Sequence, residues 1–417
     1  MSKILIRNIK TLNDSCTQDI LVENGKIANI ASKISIDDAG EKYDFKGGLL
    51  TPALINIHTH LDKSNLSKYV INETGTIGEA RKKLFEYKKN MTADEIKERA
   101  RQTILESVNN GILFLRTHVD VDPVIGLKGI IALLDLREEF KDLIKIEIVA
   151  FPQEGISESP GAYALLESAM LLGADVMGGH LSVAKDFNEH STRMFELASK
   201  FGCDIDVHVD YDIDRDYSTY RTCSDGKKYP KELGVVDLCH CKKDFNFKGL
   251  VTASHVCGLS SALPEDAEQI MGLMHEENIN VVALAPNNLY CNGRSDKHNI
   301  RRGVTLAKPL LNKGVNVSFG PDNIRDPFNP LGSSDMIMNG LITAYACHFS
   351  NKIDYDELFN MCTYRAAKIM KLENYGLELG CYADFTVFHS DSPEKIFANA
   401  EKPAALFRRG TLIFKHV

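Results

Sequence analysis

No apolar run in this chain of 417 residues approaches the roughly 18 residues a membrane-spanning helix needs, which argues against a helical membrane protein. The opening residues Met1-Ser2-Lys3-Ile4-Leu5-Ile6-Arg7 lack a long apolar segment followed by a small-residue cleavage site, so no export signal is expected there. Positive charge is not in surplus: 49 Lys and Arg against 57 Asp and Glu give a net charge of −8. Nucleic acid and anionic membrane are therefore not expected partners. What is present, 44% hydrophobic and 25% charged residues, is ordinary for a globular chain and excludes wholesale disorder or a coiled-coil rod. The ten cysteines, spread from Cys16 to Cys381, are read as reduced thiols, and the expected compartment is the cytoplasm.

Length alone allows two or three domains, but the texture of the chain suggests another division. Short strand-like runs at 3–8, 20–23 and 27–30, with a turn signal at Glu23-Asn24-Gly25-Lys26, return in kind only at 383–388, 405–407 and 410–414. Residues 1–52 and 376–417 are thus expected to form one small β-sandwich from both chain ends. Residues 53–375 alternate strands with amphipathic helices. Eight strand-like runs start at Ala53, Ile112, Ile146, Ala174, Asp204, Leu250, Asn280 and Asn316. Thr92-Ala93-Asp94-Glu95 is a capping box opening a helix to about Asn109, and Leu165–Leu172 and Arg302–Leu311 read as further helices. The fold class is α/β, a (β/α)8 TIM barrel carrying a small β-sandwich.

Barrel enzymes place their chemistry at the C-terminal ends of the strands. The first strand ends His58-Thr59-His60, and alternation puts both imidazoles on one side. The fifth ends Asp206-Val207-His208, the sixth Ala253-Ser254-His255 and the eighth Phe319-Gly320-Pro321-Asp322. Neutral imidazoles with one carboxylate suit Zn²⁺ or Fe²⁺ and leave a position open for water.

The motifs His58-Thr59-His60-Leu61-Asp62-Lys63-Ser64, Arg116-Thr117-His118-Val119-Asp120-Val121-Asp122, Phe151-Pro152-Gln153-Glu154-Gly155, Thr252-Ala253-Ser254-His255 and Gly320-Pro321-Asp322-Asn323 resemble the amidohydrolase superfamily. Within it they are similar to the branch of cytosine deaminases and N-isopropylammelide aminohydrolases. The resemblance implies one divalent ion held by His58, His60, His208 and Asp322. His255 would act as a nearby electrophile, and Asp322 would also take the proton from the attacking water. It implies that Gln153 pairs with the amide edge of a pyrimidine-like ring, with Asn323 and Tyr211 lining the pocket. Binuclear relatives use a carboxylated Lys at the end of strand four; Gly178-Gly179-His180-Leu181-Ser182 has none before Lys185. The implied reaction is hydrolysis of a C–N bond on a small nitrogen heterocycle, in a homo-oligomer. A cyclic amidase of the dihydroorotase or hydantoinase kind and a non-catalytic ligand-binding barrel are the alternatives.

The chain departs from the resemblance where cytosine deaminases carry a Glu three residues after the strand-five His, because that position is Tyr211. Either a one-residue bulge brings Asp212 into the role of proton donor, the reading preferred here, or Asp210 takes it. The long connection 212–250 is read as a lid or as a contact with a neighbouring subunit. His118 is a structural or supporting residue, Lys63 a solvated loop charge or a substrate contact, Arg301-Arg302 a solvated helix start, and Cys239-His240-Cys241 part of a helix.

Overall fold

The computed structural model describes residues 3–12, 14, 16–36 and 40–416. The chain opens with β1 (Lys3–Ile9), β2 (Gln18–Glu23), β3 (Lys26–Ala31) and β4 (Glu41–Asp44), a sheet of order β3-β2-β1-β4. The short β5 (Leu50–Pro52) then leads into the barrel. Eight parallel strands follow: β6 (Leu54–Thr59), β7 (Ile112–Asp120), β8 (Lys145–Phe151), β9 (Val176–His180), β10 (Asp204–Val209), β13 (Val251–His255), β14 (Ile279–Ala283) and β15 (Val317–Phe319). Between β10 and β13 lies a hairpin, β11 (Tyr220–Thr222) and β12 (Lys228–Pro230). At the C-terminal end β16 (Phe385–Val387), β17 (Ala405–Arg408) and β18 (Thr411–Lys415) pair with β5 in a second four-stranded sheet.

The barrel strands are buried on both faces, as strands between a packed interior and a helical coat must be. Every residue of β6, β7, β9, β13, β14 and β15 is buried. The helices begin and end on local signals. Helix α1 (Ile77–Lys88) is capped by Thr76, and α2 (Ala93–Asn109) by Thr92, whose side chain accepts from the Glu95 amide, as the capping box predicts. The helices α3 (Lys128–Glu139), α4 (Ala162–Leu172) and α5 (Phe187–Phe201) follow β7, β8 and β9 in turn. Then α6 (Gly234–Asp244), α7 (Pro264–Glu276), α8 (Ala285–Cys291) and α9 (Ala307–Asn312) complete the crossovers up to β15.

The barrel closes between β15 and β6. Asp322 N donates to His58 O at 3.2 Å and Thr59 Oγ1 donates to Asp322 O at 2.9 Å. The two terminal sheets share one apolar cluster, with Ile4, Ile6, Ile20 and Val22 from one and Leu50, Phe385, Val387 and Phe407 from the other. The C-terminal segment also packs on the barrel: Phe397, in a short helix over Pro393–Ala398, meets Phe359 at a ring separation of 5.0 Å.

Two sequence expectations change here. The helix expected over Arg302–Leu311 starts only at Ala307. Residues 301–306 are non-helical, and their polar groups are spent elsewhere: Gly303 O accepts from Asn292 Nδ2 at 3.2 Å, and Thr305 Oγ1 donates to His255 O at 2.6 Å. Arg301 is therefore no helix start; it pairs with Asp296 at 2.7 Å and Asp214 at 2.5 Å. The connection 212–250 contains α6 itself, and its hairpin leans on α7, where Tyr220 Oη donates to Asp266 Oδ2 at 2.7 Å. Cys239, His240 and Cys241 lie buried within α6.

Candidate active site

Four side chains meet at the barrel mouth. Their ligand atoms, three imidazole nitrogens and one carboxylate oxygen of His58, His60, His208 and Asp322, all lie within 4.8 Å of one another, and all four residues are buried. His60 Nε2 is 3.1 Å from His208 Nε2 and 3.2 Å from Asp322 Oδ1, and His58 Nε2 is 3.4 Å from the same oxygen. His58 Nε2 and Asp322 Oδ1 have no hydrogen-bond partner. Buried polar atoms left unpaired are costly, and a cation at their meeting point satisfies them.

Neighbouring groups fix the ring of His58. Its Nδ1 lies 2.9 Å from Ser254 Oγ, and that hydroxyl lies 3.2 Å from Asp206 Oδ1. A carboxylate only accepts, so the hydroxyl proton points to Asp206 and the oxygen accepts from Nδ1–H. Nε2 is then left unprotonated toward the cluster, the state a metal ligand requires. Asp206 is in turn held by Arg116 Nη1 at 2.9 Å, and Arg116 also binds Glu147. Burial pushes His60 and His208 well below the usual histidine range, so both are neutral near pH 7. Burial alone would raise Asp322, but His58 and His60 outweigh it and keep the carboxyl ionised. Three imidazoles and a carboxylate are donor types that fit a divalent cation.

His255 stands beside the cluster, with Nε2 3.7 Å from Asp322 Oδ2 and Nδ1 2.9 Å from Asn288 Oδ1. Asp322 Oδ2 also accepts from Asn287 Nδ2 at 2.5 Å. Both residues adopt left-handed backbone, φ +76° at His255 and +63° at Asp322, a strain that concentrates at functional sites.

The position of the family Glu is occupied by Tyr211, which lines the cavity above the cluster. β10 pairs with β13 in unbroken register as far as Val209 and His255, and the chain leaves the strand at Asp210, whose φ is +52°. Asp212 lies beyond the end of the strand and belongs to none of the metal-ligand groupings. Its side chain is 40% exposed, 3.8 Å from Arg215, and lines an outer recess that shares Ile77, Arg81, Tyr211, Cys291 and Asn292 with the cavity. Asp210 is no substitute, since its carboxylate accepts from the Gly234 and Val235 amides at 2.8 and 3.0 Å and caps α6. Neither carboxylate reaches the four-residue cluster.

Gln153 and Asn323 both line the cavity, with Asn323 Nδ2 donating to Asp326 at 2.6 Å. His118 lies beneath the ligands, its ring 4.0 Å from that of His58 and its Nε2 3.3 Å from Asp206 Oδ1. The solvated-loop reading of Lys63 is overturned: its side chain is 1% exposed and its Nζ lies 2.5 Å from Asp120, 3.2 Å from His60 Nδ1 and 3.4 Å from Gln153 Oε1. Burial would lower its pKa, but Asp120 and Asp62 outweigh that and raise it.

A cavity opens over the cluster, and the empty space within it and at its open mouth together amounts to about 480 Å³. Sequence reasoning missed several of its walls. His180 ends β9, Asn287 and Asn288 belong to the first turn of α8, and Arg81 projects from α1. The Ala285-Pro286-Asn287-Asn288 run that follows β14 was the available signal, because polar residues at a barrel strand end face the mouth.

Fold and site together define a metal-dependent hydrolase on a TIM barrel. The model of the amidohydrolase family matches residues 41–402, and the chain belongs to that family. It is a hydrolase of non-peptide C–N bonds that uses a divalent metal. The chain is 29% identical to the N-isopropylammelide isopropyl amidohydrolase of Pseudomonas sp. (strain ADP), over 99% of this chain and 97% of the relative. It is 25% identical to the pterin deaminase of Rhizobium rhizogenes (strain K84 / ATCC BAA-868), over 95% and 87%. The solved structure of 5-methylcytosine deaminase from Klebsiella pneumoniae, liganded with 5-fluorocytosine, superposes with a TM-score of 0.91 at 27% identity, covering 99% of this chain and 98% of that one. Among the described residues no helix is long and apolar enough to cross a membrane.

Proposed function

We propose that this chain is an aminohydrolase that replaces an exocyclic amine on a small nitrogen heterocycle by water, using one Zn²⁺ or Fe²⁺ held by His58, His60, His208 and Asp322. The observation that carries this reading is the convergence of those four buried ligand atoms within 4.8 Å of one another at the floor of a cavity lined by Gln153, His180, Tyr211 and Asn323. A divalent ion so held supplies acidity, lowering the pKa of a water to about 7. The residues do the rest. Asp322 receives the proton of the attacking water, and His255, 3.7 Å from it, stabilises the developing oxyanion. With Asp210 capping α6 and Asp212 in the outer recess of the cavity, Asp322 and His255, at the cluster itself, are also the groups placed to return a proton to the ring and the departing amine. Gln153, Asn323 and Tyr211 hold the ring.

A single ion fits the surroundings. The other groupings of three, His60-Asp62-Asp120 and His58-His118-Asp206, have carboxylates already met by cations. Asp120 is bound by Lys63 and Lys88, and Asp206 by Arg116. Lys185, the nearest lysine after β9, is exposed. The relatives named above act on an isopropylated triazine, a pterin and a methylated cytosine, and support a ring of that class. We assign the enzyme to the cytoplasm, where the thiols from Cys203 to Cys381, none in a disulfide, stay reduced. We also assign it to a homo-oligomer; the exposed Leu331, Tyr345 and Ile353 around the outer helices favour association.

The test is a screen for ammonia or amine release over pyrimidines, purines, pterins, triazines and creatinine with Zn²⁺- and Fe²⁺-loaded protein, paired with metal counting. Release from one ring with one ion per chain is expected. Two ions per chain and ring opening of a cyclic amide would favour a dihydroorotase- or hydantoinase-like amidase, and binding without turnover a non-catalytic barrel.

A further inference from the structure

His180 lies at the cavity wall yet belongs to none of the metal-ligand groupings. It is the last residue of β9, 2% exposed, and its backbone N–H donates to His190 Nε2 at 3.1 Å. Its ring is packed between Phe151 and Tyr211, with centroid separations of 5.3 and 5.9 Å. Its Nδ1 is 2.8 Å from the backbone oxygen of Gln153. A carbonyl oxygen only accepts, so Nδ1 carries the proton, and the Nε2 of the neutral ring is a bare acceptor. That Nε2 is buried with no partner.

Gln153, bonded to His180 through its own main chain, is fixed in the complementary sense. Lys63 Nζ lies 3.4 Å from the Gln153 side-chain amide. An ammonium only donates, so the amide atom facing it is Oε1, and Nε2 with its two protons is left to donate. The cavity wall thus pairs one committed donor with one committed acceptor.

We infer that His180 is a substrate-contact residue that accepts a hydrogen bond from a ring N–H, so that with Gln153 as donor the site selects heterocycles bearing an N–H next to a carbonyl. This rests on the proposed function, and it narrows the substrate to lactam rings over rings alkylated at that nitrogen. An unpaired buried acceptor penalises a ligand that cannot satisfy it, the asymmetry by which polar sites reject analogues.

The experiment compares cytosine with 1-methylcytosine and pterin with 3-methylpterin, in which a methyl replaces the ring N–H. The metal-loaded wild type, His180→Phe and His180→Gln are each followed by amine release and by calorimetric binding, with melting temperature confirming the fold. On whichever ring is turned over, the wild type should favour the N–H form by at least about tenfold in kcat/KM. His180→Phe should erase that preference, and His180→Gln, which restores an acceptor oxygen, should recover part of it. Release from both members of a pair at equal efficiency, or a preference that survives in His180→Phe, overturns the inference and leaves the proposed function standing. Absence of release from cytosine and pterin alike leaves the proposed function to the wider screen above; the calorimetric comparison of the same pairs then decides the role of His180, and equal or absent binding overturns it.

Discussion

Asp322 Oδ1 lies 3.4 Å from His58 Nε2 across the seam where the eighth strand closes on the first, and the residue that permits the approach is Gly320. A Cβ built on Gly320 would stand 2.9 Å from His58 O and 3.2 Å from His58 Cβ. The first contact is closer than side-chain carbons come and is to rigid backbone, and the second is tight. Gly320→Ala should therefore push the two ligands apart. Metal content after dialysis should fall at least about tenfold, the scale of outer-shell disturbance, with amine release falling alongside. Unchanged metal retention would show that the seam relaxes without cost.

Ser254 acts on the same cluster from behind. Removing its hydroxyl leaves His58 Nδ1 with no acceptor at 2.9 Å and releases the tautomer. Ser254→Ala should weaken metal affinity by about 10–100-fold, measured by chelator competition. Ser254→Thr keeps the hydroxyl and should stay near the wild type.

The pair beneath is structural. Arg116 is buried at 2% exposure, with Asp206 and Glu147 as its carboxylate partners. Arg116→Met leaves the buried Asp206 without its cation and should cost about 3–5 kcal/mol in denaturant unfolding. A loss below about 1 kcal/mol would mean that water reaches Asp206.

Acid should destabilise the metal-free chain earlier than its carboxylates alone would. Burial, with His58 and Arg116 adding to it against Asp206, pushes His118 down to about 4. Burial also depresses His60, His180 and His208. A histidine kept neutral in the fold takes up a proton first in the unfolded chain, below its ordinary value of about 6.5. Stability is thus complete above about pH 6.5 and declines as pH falls toward 4. Urea midpoints across that window should drop, and His118→Asn should flatten part of the slope. A slope identical in His118→Asn would remove His118 as a contributor.

Much of this was legible in the sequence because period and position were enough. Eight apolar runs announced the barrel strands, and four polar residues at their ends announced the side chains that converge at the mouth. What stayed illegible depended on partners distant in sequence. Lys63 reads as a loop charge until Asp120 on the next strand and Lys88 at the end of α1 are placed against it. Residues 301–306 have helical periodicity but spend their polar groups on Asn292 and His255, which no local pattern announces. Chain spacing favours Asp212 as proton donor, but the strand ends at Val209, and which way the chain turns at Asp210, φ +52°, is set by contacts that spacing does not announce.

The central claim is that Asp322 both holds the ion and moves the proton. Asn tolerates the left-handed backbone of this position, φ +63°, better than Ala does, so Asp322→Asn changes the chemistry with little strain. The direct measurement is the rate of amine release by the metal-loaded Asp322→Asn protein, on the ring the wild type hydrolyses and normalised to bound metal. A fall of at least about a hundredfold, the scale of losing a general base, is the expected result. Turnover per bound ion equal to that of the wild type would contradict it.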